Sequence, residues 1–142
     1  GFIGDDPVVK STNIFPSLLD CCFDKSKTFY INGRDWQTKD GTCVRDYIHV
    51  EDVADAIVNA IEMGPTNTPY ECLGSKEGYT VNEVLDTMEN VTGEKITRIV
   101  SQRRLGDSIV NIVDKLSDRV LLTKNIQDMC YDQYKLERQL NG

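Results

Sequence analysis

Two short polar clusters hold the residue types from which a binding site can be built. The first is Asp40-Gly41-Thr42-Cys43-Val44-Arg45-Asp46-Tyr47-Ile48-His49-Val50. It places Arg45 beside a turn-prone loop and at the start of a β-forming run. A guanidinium there can grip phosphate oxygens in a bidentate fork that a lysine does not reproduce. The second cluster is Arg103-Arg104-Leu105-Gly106-Asp107, directly after another predicted strand. Two adjacent arginines, a glycine that lets the backbone turn, and a carboxylate suit a nucleoside diphosphate. The arginines would hold the phosphates while Asp107 accepts from a ribose hydroxyl. A surface ion-pair network made of the same residues is the competing reading. Trp36, in the polar loop ahead of the first cluster, either covers a ligand or shields the loop.

Other chemistries find less support. His49 is the only histidine, and it is read as a packed, hydrogen-bonded structural residue rather than a base. Asp46 is read as a group that fixes Arg45 or a nearby backbone amide. Neither a Gly-x-Ser-x-Gly elbow nor a Ser-x-x-Lys arrangement supports a nucleophile. The five cysteines (Cys21, Cys22, Cys43, Cys72, Cys130) are odd in number and form no Cys-x-x-Cys pair. With one histidine they outline no metal site, and free thiols in a reducing cytosol are expected.

The chain of 142 residues is the size of one domain, and 39% hydrophobic residues with 10 glycines sustain a core. Its 23 acidic and 16 basic residues give a net charge of -7, which argues against a nucleic-acid partner. No stretch approaches the roughly 20 apolar residues of a membrane span. Gly1 to Asp6 show neither the basic segment nor the apolar run of a signal peptide. With no initiator methionine, the chain is expected to be a piece of something longer.

The elements that must position the clusters alternate between helix and strand. Asn13 can cap a helix carrying Ile14, Phe15, Leu18, Leu19, Cys22 and Phe23 at near-helical spacing, with Pro16 tolerated in the first turn. Thr28–Ile31 reads as a strand ended by Asn32-Gly33, and Val44–Val50 as a second strand. Glu51 and Asp52 open a helix whose Val53, Ala54, Ile57, Val58 and Ile61 form a wide apolar face, stopped by Gly64-Pro65. Tyr70–Leu73 is predicted as a strand. Thr80-Val81-Asn82-Glu83 is a capping box for a helix ending at Gly93. Ile96–Val100 is a further strand, and Thr123–Leu140 a final helix with Ile126, Met129, Cys130 and Tyr134 inward. The result is one α/β unit with short strands and four to five helices.

Asp40-Gly41-Thr42, Val44-Arg45-Asp46-Tyr47-Ile48-His49-Val50 and Asp52 together resemble the hallmark segment of the UDP-glucose (UDP-galactose) 4-epimerases. These belong to the NAD-dependent epimerase/dehydratase branch of the extended short-chain dehydrogenases/reductases. Gly4-Asp5-Asp6-Pro7, Asn13, Gly33, Leu73-Gly74 and Arg103-Arg104-x-Gly-Asp107 follow in the family order, and the likeness runs to about Asp114. The Arg-Arg-x-Gly-Asp segment is shared with related dehydratases and decarboxylases. The resemblance implies the C-terminal, UDP-sugar-binding part of a Rossmann-type enzyme. Asn13 and Ile14 match residues at the diphosphate. Tyr30 and Asn32 match the segment along the uracil, Arg45 and Arg104 the diphosphate arginines, and Asp107 the ribose carboxylate.

It also implies NAD in the full-length enzyme and a tyrosine base with a nearby lysine. Yet this sequence has no Gly-x-Gly-x-x-Gly, and Tyr131 and Lys135 fall after the substrate motifs, so they are not assigned. No cofactor and no catalytic residue is therefore expected in this chain, which alone should be inactive. Residues 44–62 are expected to pack on the absent cofactor domain, so that half or self-association is the expected protein partner. A related dehydratase or decarboxylase fragment, and a non-catalytic nucleotide-sugar-binding or assembly module, are the alternatives. Asn32 stands where many epimerases have an aromatic residue, Asn111 where they have tyrosine, Leu121-Leu122 where a tryptophan is usual, and Cys72 where asparagine is common.

Overall fold

Leu18, Leu19, Cys21 and Cys22 fall on one side of the first helix, α1 (Ile14–Phe23), and all four are buried. The computed structural model describes residues 13–68 and 70–141. The Gly4–Pro7 part of the resemblance lies outside the described residues. Asn13 stands at the N-cap of α1 with an extended backbone, but its side chain makes no capping bond. The turn closes instead through Ser17 N–H donating to the Asn13 carbonyl at 3.2 Å. The chain continues through β1 (Phe29–Asn32), β2 (Val44–Asp46), α2 (Val50–Met63) and β3 (Gly78–Thr80). It then runs through α3 (Val81–Thr92), β4 (Arg98–Ser101), β5 (Val110–Asn111) and α4 (Ile126–Asn141).

Four helices are present among the described residues, three of which build the core. Val84, Leu85 and Met88 of α3 interlock with Leu18 and Leu19 of α1 and with Cys130 of α4, all at or near zero exposure. The capping box of α3 forms in both directions: Thr80 Oγ1 accepts from Glu83 N–H, and Glu83 accepts from Thr80 N–H. Gly93 ends that helix in a left-handed conformation. Two small sheets flank the helices. β1 and β4 pair in parallel with Phe29 opposite Arg98. In the other sheet β2 is central, antiparallel to β3 and parallel to β5.

Two expectations need correction. The second strand stops at Asp46 rather than Val50. Its carboxylate accepts from Ser75 N–H and Oγ–H, Lys76 N–H and Val113 N–H, at 2.6 to 3.2 Å, drawing both neighbouring segments across the end of the ladder. Tyr70–Leu73 is irregular: Glu71 engages the side chains of Arg119 and Ser117, and among the described residues no strand pairs with it. β5 was invisible to pattern reading, since a two-residue bridge carries no periodicity.

One buried carboxylate gives the fold a defined acid limit. Burial of Glu89 pushes its pKa up. The Ile96 N–H at 2.9 Å, the Lys95 ammonium at 2.7 Å and the Arg98 guanidinium at 3.0 Å outweigh that and hold it below the ordinary 4.5. A carboxylate with a lowered folded pKa stabilises the fold above its unfolded value, and that stability disappears as pH falls through the folded value. Glu89→Gln is expected to melt at lower temperature than wild type at pH 7. It should lose less of its stability than wild type when both are taken from pH 7 to pH 3, as followed by circular dichroism. Equal pH sensitivity in the two proteins would show that other carboxylates set the limit.

Candidate functional site

A cavity of about 860 Å³ opens between the start of α1, strand β1, strand β2 and the turn after β4. Asn13 and Ile14 border it from α1, Tyr30 and Asn32 from β1, Arg45 from β2, and Arg104 and Asp107 from the turn. Segments as distant in sequence as Asn13 and Asp107 thus share one wall.

The polar wall is fixed by backbone geometry. Gly106 takes φ +89°, a left-handed conformation that favours glycine, and Asp107 N–H closes the turn on the Arg104 carbonyl at 3.2 Å. Arg45 donates from Nη1 to its neighbour Val44 O at 2.8 Å and to Ser108 O at 2.9 Å, so its guanidinium plane is set by the backbone. Asp107 lies between the two arginines, 3.8 Å from Arg45 Nη2 and 3.8 Å from Arg104 Nε. Two guanidiniums against one carboxylate leave this wall net positive in a chain of net charge -7. Such an arrangement can take an anion with charge-assisted hydrogen bonds while the carboxylate accepts from a hydroxyl.

Apolar rings complete the lining. Phe15 meets Tyr47 edge-on with ring centroids 5.4 Å apart, and both border the cavity with Ile14 and Phe29. Burial pushes the Tyr47 pKa up to about 12, so the ring enters any contact as a neutral phenol that donates rather than as a base. The sequence reading missed Tyr47. Its signal was there, since Arg45 and Tyr47 are two apart in a β-forming run, the spacing that puts side chains on one face.

Several polar residues stand elsewhere. Arg103 turns away from the cavity onto the Trp36 ring, with its guanidinium carbon 4.1 Å from the ring centroid. Trp36 is 9% exposed and shields its loop rather than lining the cavity. His49 is 4% exposed. Its Nδ1 accepts from Glu51 N–H at 3.1 Å, which caps α2, and its Nε2 faces Asp132 Oδ2 at 3.2 Å. This network assigns the ring proton to Nε2. His49, Glu51 and Asp132 are close enough to suggest a metal centre. In this tautomer the Nδ1 lone pair is engaged by Glu51 N–H and Nε2 carries the proton, and the Lys124 ammonium already stands 3.1 Å from Glu51 and 4.0 Å from Asp132. The cluster ties α2 to α4.

A dinucleotide pyrophosphate needs an open helix N-terminus behind a glycine-rich turn. α2, α3 and α4 begin instead with acceptors from the chain itself: His49 Nδ1, Thr80 Oγ1 and Asn125 Oδ1. α1 has no side-chain cap, but no glycine-rich turn stands ahead of it in the sequence. Tyr131 and Lys135 lie on α4, away from the cavity. All five cysteines are free thiols, with Cys72 exposed and the others buried. Among the described residues no helix is long and apolar enough to cross a membrane.

Comparison with known proteins bears on this cavity. The family described as "NAD dependent epimerase/dehydratase family" matches residues 10–72, which include Asn13, α1, β1, β2 and all of α2. The UDP-glucose 4-epimerase of Bacillus subtilis is 33% identical over 141 residues, covering 95% of this chain and 42% of the relative. UDP-glucose 4-epimerase 2 of Oryza sativa is 33% identical over 142 residues, covering 94% of this chain and 35% of the relative. The chain resembles part of the epimerases of this family. Among solved structures, the UDP-glucose 4-epimerase of Stenotrophomonas maltophila, with bound NAD and formylated UDP-arabinopyranose, superimposes with a TM-score of 0.89 at 31% identity. It covers 98% of this chain and 43% of that one. The Bifidobacterium longum enzyme, in complex with NAD+ and UDP, gives 0.86 at 29% identity, over 96% of this chain and 42% of that one. The chain thus spans less than half the length of these epimerases and corresponds to a fragment of them.

Proposed function

We propose that this chain is the UDP-binding part of a UDP-glucose/UDP-galactose 4-epimerase-like enzyme. One observation carries the reading: Arg45, Arg104 and Asp107 meet Asn13, Ile14, Tyr30 and Asn32 around a single cavity. The arginines hold the diphosphate, Asp107 accepts from the ribose, and the β1 edge at Tyr30 and Asn32 runs along the uracil. The B. longum relative, solved with UDP, supports this choice of ligand.

NAD and the hydride chemistry it supplies belong, in this reading, to the part of the longer relatives that the chain does not span. Residues 44–62 dock on that part through the apolar face of α2, where Ile57 is 53% and Ile61 77% exposed. Without it the chain binds and orients a nucleotide but turns nothing over. The five free thiols suit the reducing cytoplasm, where we place it.

Calorimetric titration of the chain with UDP tests the reading. Saturable 1:1 binding that weakens with added salt is expected, because the diphosphate meets a net positive wall. No heat up to millimolar UDP or UDP-glucose would remove nucleotide binding from this chain.

A further inference from the structure

The Arg103-Arg104 pair divides its work, and the division is written in the loop between β1 and β2. That loop, residues 33–43, has no helix or strand of its own. Arg103 holds it at the β1 end. Its Nε donates to Asp35 Oδ1 at 2.7 Å, its Nη2 donates to the Asp35 carbonyl at 2.5 Å, and the guanidinium lies over the Trp36 ring. The indole Nε1 in turn donates to the Asn32 carbonyl at 3.1 Å, on the strand that borders the cavity. Gly33 makes room for the stack. Its φ is +85°, and a Cβ there would lie 2.6 Å from Arg103 Cγ and 2.8 Å from the indole nitrogen.

We infer that Arg103 is a positioning residue for the cavity, acting through Trp36 and through its own neighbour. By stacking on Trp36 it fixes the Asn32 end of β1. By holding its own backbone, it leaves Arg104 facing the cavity without a conformational search at the moment of binding. This rests on the reading of the cavity as a UDP site. It assigns to Arg103 no contact with the phosphates, unlike the simpler picture in which both arginines clamp them.

The test is the UDP affinity of Arg103→Ala, Arg103→Lys, Trp36→Phe and Arg104→Ala, each measured at two salt concentrations, with the emission of the single tryptophan as a second readout. Arg103→Ala should bind about three- to tenfold more weakly, the cost of ordering one side chain and its loop on binding instead of beforehand. The slope of log Kd against log salt should stay at the wild-type value, because no phosphate contact is lost. Trp36 emission should shift to the red as the ring loses its cover. Arg104→Ala should flatten the slope and leave the emission alone. Arg103→Lys keeps a cation over the ring and should recover part of the affinity. It and Trp36→Phe carry the comparison if the alanine variant does not fold.

A slope flattened in Arg103→Ala as much as in Arg104→Ala would place Arg103 on the phosphates and overturn the inference. So would wild-type affinity in Arg103→Ala. Wild-type protein that binds no UDP would overturn the UDP reading itself, and with it this role for Arg103.

Discussion

Arg45→Ala is expected to weaken UDP binding by about 10- to 100-fold, the worth of one charge-assisted hydrogen bond to an anion at about 1.5–3 kcal/mol, when 1.4 kcal/mol is a factor of ten. The size of the effect follows from how the guanidinium is held. Nη1 is spent on the Val44 and Ser108 carbonyls, which fixes the plane, and Nη2 looks toward Asp107 across 3.8 Å. A phosphate arriving there meets donors already aimed. Arg45→Lys keeps the charge but cannot hold Ser108 O and a phosphate oxygen with the same rigid fork, so it should fall between alanine and wild type. Both variants should fold, since the core is built by α1, α3 and α4 and contains no part of Arg45. Calorimetry at low and moderate salt checks the result: affinity should fall, and its salt dependence should fall with it. An alanine variant that binds UDP like wild type would move the phosphate site away from this wall.

What the sequence revealed and what it concealed divide along a physical line. Local chemistry was legible. The capping box at Thr80 and Glu83 names its own partners three residues apart, and Gly93 marks the end that only a left-handed residue makes. Candidate site residues were legible where they sit in dense polar motifs, as Arg45, Arg104 and Asp107 do, and the fold brings these three to one cavity. Long-range pairing was not. Val110 and Asn111 form a strand only because Val44 and Arg45 lie alongside them, and nothing in two residues announces that. Asp46 cuts β2 short through amides at 75, 76 and 113, so the strand end is decided by residues tens of positions away. The same holds for Arg103. In sequence it is the twin of Arg104. Only the fold brings Trp36 under one guanidinium and the cavity before the other.

Self-association of the chain through α2 is the other large expected effect, and the helix is built for it. At 100° per residue, Val50, Ala54, Ile57, Val58 and Ile61 fall within a stripe about 100° wide. Asp52, Ala56 and Asn59 lie on the opposite side, and that polar side is the one anchored to the fold. Asp52 accepts from Thr123 N–H, Thr123 Oγ–H and Lys124 N–H, Asn59 donates to Arg119 O, and Arg119 donates to the Ala60 and Gly64 carbonyls. The apolar stripe is left in water, with Val50, Ile57, Val58 and Ile61 each at least half exposed. Re-covering such a side chain stabilises by roughly 1 kcal/mol, half the value for full burial. Four of them are then worth about 4 kcal/mol per face, and two identical faces about twice that. Association itself costs about 4–15 kcal/mol. The balance favours weak, concentration-dependent association over a permanent dimer. In sedimentation the chain should run above 16.1 kDa as its concentration rises. The double variant Ile57→Lys with Ile61→Lys should remain monomeric with a nearly unchanged melting temperature, because both side chains are more than half exposed and stand outside the core. It should also bind UDP like wild type, since no residue of the stripe borders the cavity. A wild-type chain that stays monodisperse at 16.1 kDa at high concentration would mean the stripe is too small to drive self-association.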